Sequence, residues 1–223
     1  MRRTLTILIL TILLLISFSA CSKKDSTFPA NGVLIIGDEN NTSSIINRYQ
    51  EITKENELFS VKTGKFGNGQ VLILNESTAQ ALIKANVFRK RDNGSNFIPI
   101  NTLPKFSKEG SLLFAQEEEK NLKSIELEGK EISFTYNSDA WIGNTRKYPT
   151  QWYVIVAKNS VYKEIQANET TMQLLHLKKS IGDEKPKMST DNTLINENVK
   201  VNKLIKGLEG EVSFQFVTIG EKF

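Results

Sequence analysis

The chain has 223 residues, 39% of them hydrophobic, enough for one large domain or two small lobes with a real core. Lys and Arg number 29 against 25 Asp and Glu, a formal net charge of +4, too balanced to point to nucleic acid as a partner. One cysteine and one histidine exclude a disulfide framework, leave too few ligands for a zinc site, and imply no cofactor.

Met1, Arg2 and Arg3 precede an apolar run from Leu5 to Ile16 and the small residues Ser17, Ser19 and Ala20. That is the layout of a secretory signal peptide over residues 1–20. The run is about two-thirds of the ~20 residues a membrane-crossing helix needs, so a permanent transmembrane anchor is the weaker reading. The stretch Phe18-Ser19-Ala20-Cys21 resembles the lipobox of bacterial lipoproteins, with Phe18 where that motif favours Leu. The resemblance implies cleavage before Cys21, palmitate-type acyl chains on its thiol, and attachment to a lipid bilayer through them. Each buried methylene contributes ~0.8 kcal/mol, so two or three chains hold a water-soluble body on a membrane. Ser22 fits the outer membrane if the host has two, with the body in the periplasm or exposed at the surface. Plain secretion is the alternative, because Ser17 and Ser19 also suit an ordinary signal peptidase. Residues 21–32, polar and holding Pro29 and Gly32, read as a lipidated tether.

Past the tether, Val33 to Gly37 is a short apolar run expected to form a buried strand. Thr42, Ser43 or Ser44 can cap a helix that carries Ile45, Ile46, Tyr49 and Ile52 on one side. A strand near Leu58–Lys62, the glycine-rich connection Gly64–Gly69 and a strand over Gln70–Leu74 follow. Ser77 opens a second helix, whose Ala81, Leu82, Ala85 and Phe88 recur at helical spacing. From residue 106 the pattern changes to period two. Ile125 and Leu127 alternate with charges, Glu128-Gly129 supplies a turn, and Ile132, Phe134 and Tyr136 resume, a hairpin signal. Further strands are expected at Trp152–Val156 and Met172–Leu177, then a closing pair, Val199–Ile205 with Glu211–Ile219. The fold class is α+β: a strand-helix-strand-strand-helix portion, residues 33–105, followed by a mainly antiparallel β portion, residues 106–223, the two forming separate lobes or one continuous domain. Leu127–Tyr136 and Leu208–Phe216 also resemble one another, as a duplicated hairpin would.

Little in the sequence marks catalysis. His176 lies between Leu175 and Leu177 with no Gly-x-Ser-x-Gly elbow elsewhere, as a packed strand residue would. Gly64–Gly69 lacks the Gly-Lys-Ser/Thr ending of a phosphate loop and reads as a hairpin turn. Glu117-Glu118-Glu119 reads as a solvated face. The candidate binding patch is the segment from Asp139 to Tyr153, where Trp141, Asn144, Arg146, Tyr148 and Trp152 put aromatic rings beside amide and cationic donors. Such groups recognise a protein or a glycan; the competing reading is that the tryptophans pack inward. The function expected is a membrane-anchored envelope lipoprotein that binds or scaffolds an envelope protein or glycan and catalyses nothing. An immunity or inhibitor lipoprotein acting on a toxin or lytic enzyme, an envelope hydrolase using acidic residues, and a substrate-capturing lipoprotein of an uptake system, which would need a concave aromatic pocket, are the alternatives.

Overall fold

A computed structural model of the protein describes residues 30–92, 97–182 and 192–220. The signal segment, Cys21 and most of the tether lie outside the described residues, as does much of the polar stretch between Ser180 and Asn192.

The first half follows the expected order. β1 (Gly32–Gly37) leads to α1 (Glu39–Tyr49), β2 (Thr53–Phe66), β3 (Gly69–Asn75) and α2 (Glu76–Lys84). The cap of α1 is Asp38, whose carboxylate accepts from the Asn40 N–H at 2.9 Å, so the helix starts earlier than Thr42. Asn75 caps α2 in the same way, accepting from the Thr78 N–H at 2.8 Å. Phe88, expected at the end of α2, instead opens β4 (Phe88–Arg91), which pairs with β5 (Phe97–Pro99). Asn86, at φ 60°, breaks the helix before it, a conformation asparagine tolerates better than most residues.

The second half holds β6 (Ser111–Phe114), the hairpin β7 (Ser124–Leu127) and β8 (Lys130–Ser133), β9 (Thr135–Ser138) and β10 (Ala140–Ile142). Then come α3 (Tyr148–Gln151), β11 (Tyr153–Ala157), α4 (Asn159–Glu164), β12 (Asn168–Leu177), α5 (Thr193–Leu204) and β13 (Ser213–Val217). The expected strand over Val199–Ile205 is the end of α5. Val199 and Val201 alternate as strand residues do, but burial follows a helical stripe: Leu194, Val201 and Ile205 are buried while Ile195 and Val199 are exposed, a spacing set by 3.6 residues per turn. No duplication is present. Leu127–Tyr136 begins in the β7–β8 hairpin, whereas Leu208–Phe216 runs from a turn into β13, which pairs with β1.

One sheet of eight strands, ordered β13-β1-β12-β2-β3-β11-β6-β9, organises the body. Strands from residues 33–105 and from 106–223 interleave in it. Its pairs are antiparallel except β3–β11 and β6–β9, in keeping with an α+β fold. One face carries Leu34, Val61, Leu72, Val154 and Met172 beneath α2 and the small sheet β10-β4-β5. The other face is covered in two places. Tyr49 of α1 and Val201 of α5 pack over β13, β1 and β12. Ile125 and Ile132 of the hairpin, with Tyr162 of α4, pack over β3, β11 and β6. No helix among the described residues is long and apolar enough to cross a membrane.

Candidate functional site

The first face of the sheet is apolar along most of its length and turns polar at one end. In β2 the inward series runs Val61, Thr63, Lys65; in β12 it runs Met172, Thr170, Asn168; in β3 it runs Leu72, Gln70. Register brings these together, with Val61 opposite Thr170, Thr63 opposite Asn168 and Lys65 opposite Gln70. A cavity of about 440 Å³ opens there. Its other walls are Pro149 and Thr150 of α3, Asp38 and Asn41 at the start of α1, and Glu211 ahead of β13. The Thr150 hydroxyl bonds Ser213 Oγ at 3.1 Å, which ties the α3 wall to β13.

Most carboxylates around this cavity are already engaged. Asp38 caps α1, Glu211 accepts from the Asn41 side chain at 2.9 Å, and Glu169 lies 3.6 Å from the Lys62 ammonium. Lys62 is itself buried and donates to the carbonyls of Ile165 and Tyr162 at 2.6 and 3.1 Å. By contrast, the side chains of Lys65, Gln70 and Thr170 make no hydrogen bond or ion pair among the described residues. The site therefore offers a free cation, an amide and a hydroxyl around a concavity, which is equipment for holding a polar group. Among the described residues no group of three His, Cys, Asp or Glu side chains is placed to hold a metal ion.

The patch expected at residues 139–153 is largely interior. Trp141 is 2% exposed, its ring edge-to-face with Phe97 at 5.1 Å and the Arg146 guanidinium 5.3 Å from its centre. Arg146 spends its donors on Asp139 Oδ1 (2.6 Å) and on the carbonyls of Ala140, Gln151 and Trp152 (2.9, 3.1 and 3.2 Å). Asn144 is buried, donating to Thr218 Oγ1 and accepting from the Thr218 N–H. Only Tyr148 is exposed; it packs edge-on to the half-buried Trp152 at 5.4 Å and receives a hydrogen bond from Gln116. A guanidinium with four hydrogen bonds to its own fold, set over a buried indole, is a fastener, so the buried Trp141 and Asn144 and the engaged Arg146 read as packing groups. His176 is half-buried and paired with Glu57 at 2.6 Å on the neighbouring strand. In the acidic run, Glu117 and Glu118 are exposed, and Glu119 accepts from the Tyr153 hydroxyl. Burial, followed by the Glu119 charge, pushes that phenol up to about 12.

Sequence reasoning did not find the cavity. Its signal was a loss of apolar character at alternate positions in three strands, visible only once register is known.

A chain whose crystal structure is titled a "Putative Lipoprotein from Bacillus anthracis" superposes on this one with a TM-score of 0.63 and 26% identity, covering 85% of this chain and 99% of that one. No curated protein matches the chain. A model described as an uncharacterised lipoprotein family matches residues 30–206. That stretch begins after Cys21, so it supports the lipoprotein class from residues other than those that first pointed to it. The chain therefore belongs to this uncharacterised lipoprotein family.

Proposed function

We propose that the protein is a lipid-anchored, extracytoplasmic binding protein that holds a polar group of an envelope component in the cavity at the polar end of its sheet, without chemistry. The observation that carries the reading is the trio Lys65, Gln70 and Thr170, unpartnered among the described residues around a space of about 440 Å³. A concavity with a few convergent polar groups is the usual form of a binding site. With Asp38, Glu169 and Glu211 engaged, Glu128 is the one carboxylate lining the cavity that has no partner among the described residues, and a single free carboxyl supports binding over a proton-transfer pair. Cys21, acylated as the lipobox implies, would keep the body on the outer side of a membrane, the outer membrane if the host has two.

Photo-crosslinking in intact cells tests this. A photoreactive residue placed at position 70 is expected to give a discrete adduct, and the same residue at position 123, remote from the cavity, is not. Lys65→Glu should weaken the adduct while leaving the amount of protein unchanged. Equal crosslinking from positions 70 and 123, or none from either, would refute the reading.

A further inference from the structure

β2 is longer than the strand that pairs with it on one side. β12 accompanies it from Asn168 opposite Thr63 to Leu177 opposite Thr53. β3 pairs only from Phe66 opposite Gly69 to Lys62 opposite Ile73 before the chain turns into α2. Among the described residues, the part of β2 before Lys62 therefore has an uncovered edge.

The hairpin fixes which residues face that edge. Its turn is the two residues Gly67 and Asn68, and the pair flanking a two-residue turn exchanges both backbone hydrogen bonds. Stepping back by twos from Phe66, residues Gly64 and Lys62 direct their N–H and C=O toward β3. Ser60, Leu58 and Asn56 direct theirs to the same side, where no strand follows among the described residues. The Tyr162 hydroxyl takes the Ser60 carbonyl at 3.3 Å. The Ser60 N–H and both backbone groups of Leu58 and Asn56 make no other hydrogen bond among the described residues. All three residues are exposed, and Leu58 is 57% exposed. A bare strand edge is a template for another extended chain.

The side chains favour one kind of occupant. Leu58 projects from one face, while Glu55 and Glu57 project from the other. Glu55 is exposed and forms no salt bridge among the described residues; Glu57 is held by His176. Two copies pairing edge to edge about Asn56 would set Glu55 of each against Glu57 of the other, a like-charge arrangement that opposes self-pairing in that register, whereas pairing about Leu58 would set Glu57 opposite Phe59, so the test includes a second copy as an outcome. An extended segment with basic residues at alternate positions meets the opposite situation.

We propose that the β2 edge at Asn56, Leu58 and Ser60 is a docking site for an extended segment of a partner protein, one carrying Lys or Arg at alternate positions on the Glu55 side. The site is separate from the cavity and stands or falls independently of it.

Hydrogen exchange on the full-length protein in detergent micelles tests the proposal, with an acetylated, amidated Lys-Val-Lys-Val-Lys-Val peptide as the probe at about 1 mM. The amides of Asn56, Leu58 and Ser60 are expected to slow by at least about threefold, and those of β6 and β11 to stay unchanged. A peptide with Glu replacing Lys, and one with methylated backbone nitrogens, are expected to give no slowing. Leu58→Pro removes an N–H that points away from β12, a substitution strand edges accept, and should abolish the effect. If that variant fails to fold, the methylated peptide makes the same test from the ligand side. The proposal is overturned if the three amides are unmoved, or if the Lys and Glu peptides slow them equally. It is also overturned if they are already protected in the free protein and lose protection on dilution, because a second copy would then be the occupant.

Discussion

Arg146 decides between the two readings of the segment from Asp139 to Tyr153, and its replacement by alanine gives a measurable answer. Its side chain is 5% exposed and the Asp139 side chain 16% exposed. Truncation removes a guanidinium that satisfies one carboxylate oxygen and three carbonyls, and strips the cation from the Trp141 face. Removing one member of a buried ion pair typically costs about 3–5 kcal/mol, because the remaining groups stay desolvated. Two features keep the cost inside that range rather than at the sum of its parts. Asp139 keeps Arg91, whose Nε lies 2.8 Å from its other oxygen, and water can enter the space vacated beside the carbonyls.

For a domain of this size each kcal/mol moves the melting temperature by roughly 2–4 °C, so Arg146→Ala should melt roughly 6–20 °C lower. Arg146→Lys keeps the charge but not the planar fork that reaches several acceptors, and should cost about half as much. Urea denaturation of detergent-solubilised protein, with melting curves alongside, measures both. A loss below about 1 kcal/mol for Arg146→Ala would match an exposed pair and return the segment to the status of a surface patch. A loss near the upper range with crosslinking from position 70 retained would separate the fastener from the cavity.

Three further outcomes follow from the geometry. Gly143 sits at φ 99°, and a Cβ there would collide with the side-chain amide of the buried Gln215, so Gly143→Ala should cost about 2–4 kcal/mol in urea denaturation. For Glu197, burial raises the carboxyl but hydrogen bonds from Lys200 and Arg48 more than offset it and hold the group below its usual range. A lowered folded-state value means stability present above the ordinary carboxylate pKa of about 4.3 and lost as pH falls through the lower folded value. Glu197→Gln should therefore cost about 0.5–1 kcal/mol at neutral pH and flatten the decline of melting temperature in acid; an unchanged decline would contradict the pairing. Cys21→Ser should move the protein from membrane pellets to the soluble fraction, with its melting temperature unaltered, and persistence in the pellet would contradict a lipid anchor.

What the sequence disclosed was what depends on neighbours in the chain. The β7–β8 hairpin was legible because Ile125, Leu127 and Ile132 alternate around Glu128-Gly129, and the Gly67-Asn68 turn because glycine marks it. The polar half of β2 was not. Thr53 to Glu57 lack apolar alternation, and it is pairing with β12 that makes them a strand. Val199 and Val201 misled because two valines one residue apart read as strand alternation, whereas on the helix they fall on opposite sides, Val201 buried and Val199 exposed. Trp141 and Arg146 look like binding groups in sequence because the same chemistry serves recognition and interior fastening. Only burial distinguishes them, and burial here depends on β10 pairing with β4, far away in the chain.

The cavity and the anchor also stand in a relation that neither sequence nor site gives alone. The chain enters the described body at Ala30 and runs along β1 to Gly37, beside which Asp38 forms part of the cavity wall. Six residues of strand span about 20 Å, so the cavity opens at the opposite end of β1 from the tether. From Cys21 to Ala30 the chain can reach roughly 30 Å at full extension. With Cys21 acylated, the body stays within about one diameter of the bilayer, and the end most easily turned from the lipid is the one that holds Lys65, Gln70 and Thr170. The β2 edge runs along the flank between these ends, since Asn56 lies level with Leu175 and Val33 near the tether, and Ser60 level with Thr171 and Gly37. A partner strand lying there would run along the line from membrane to cavity, and a long enough partner could occupy both sites without leaving the membrane surface.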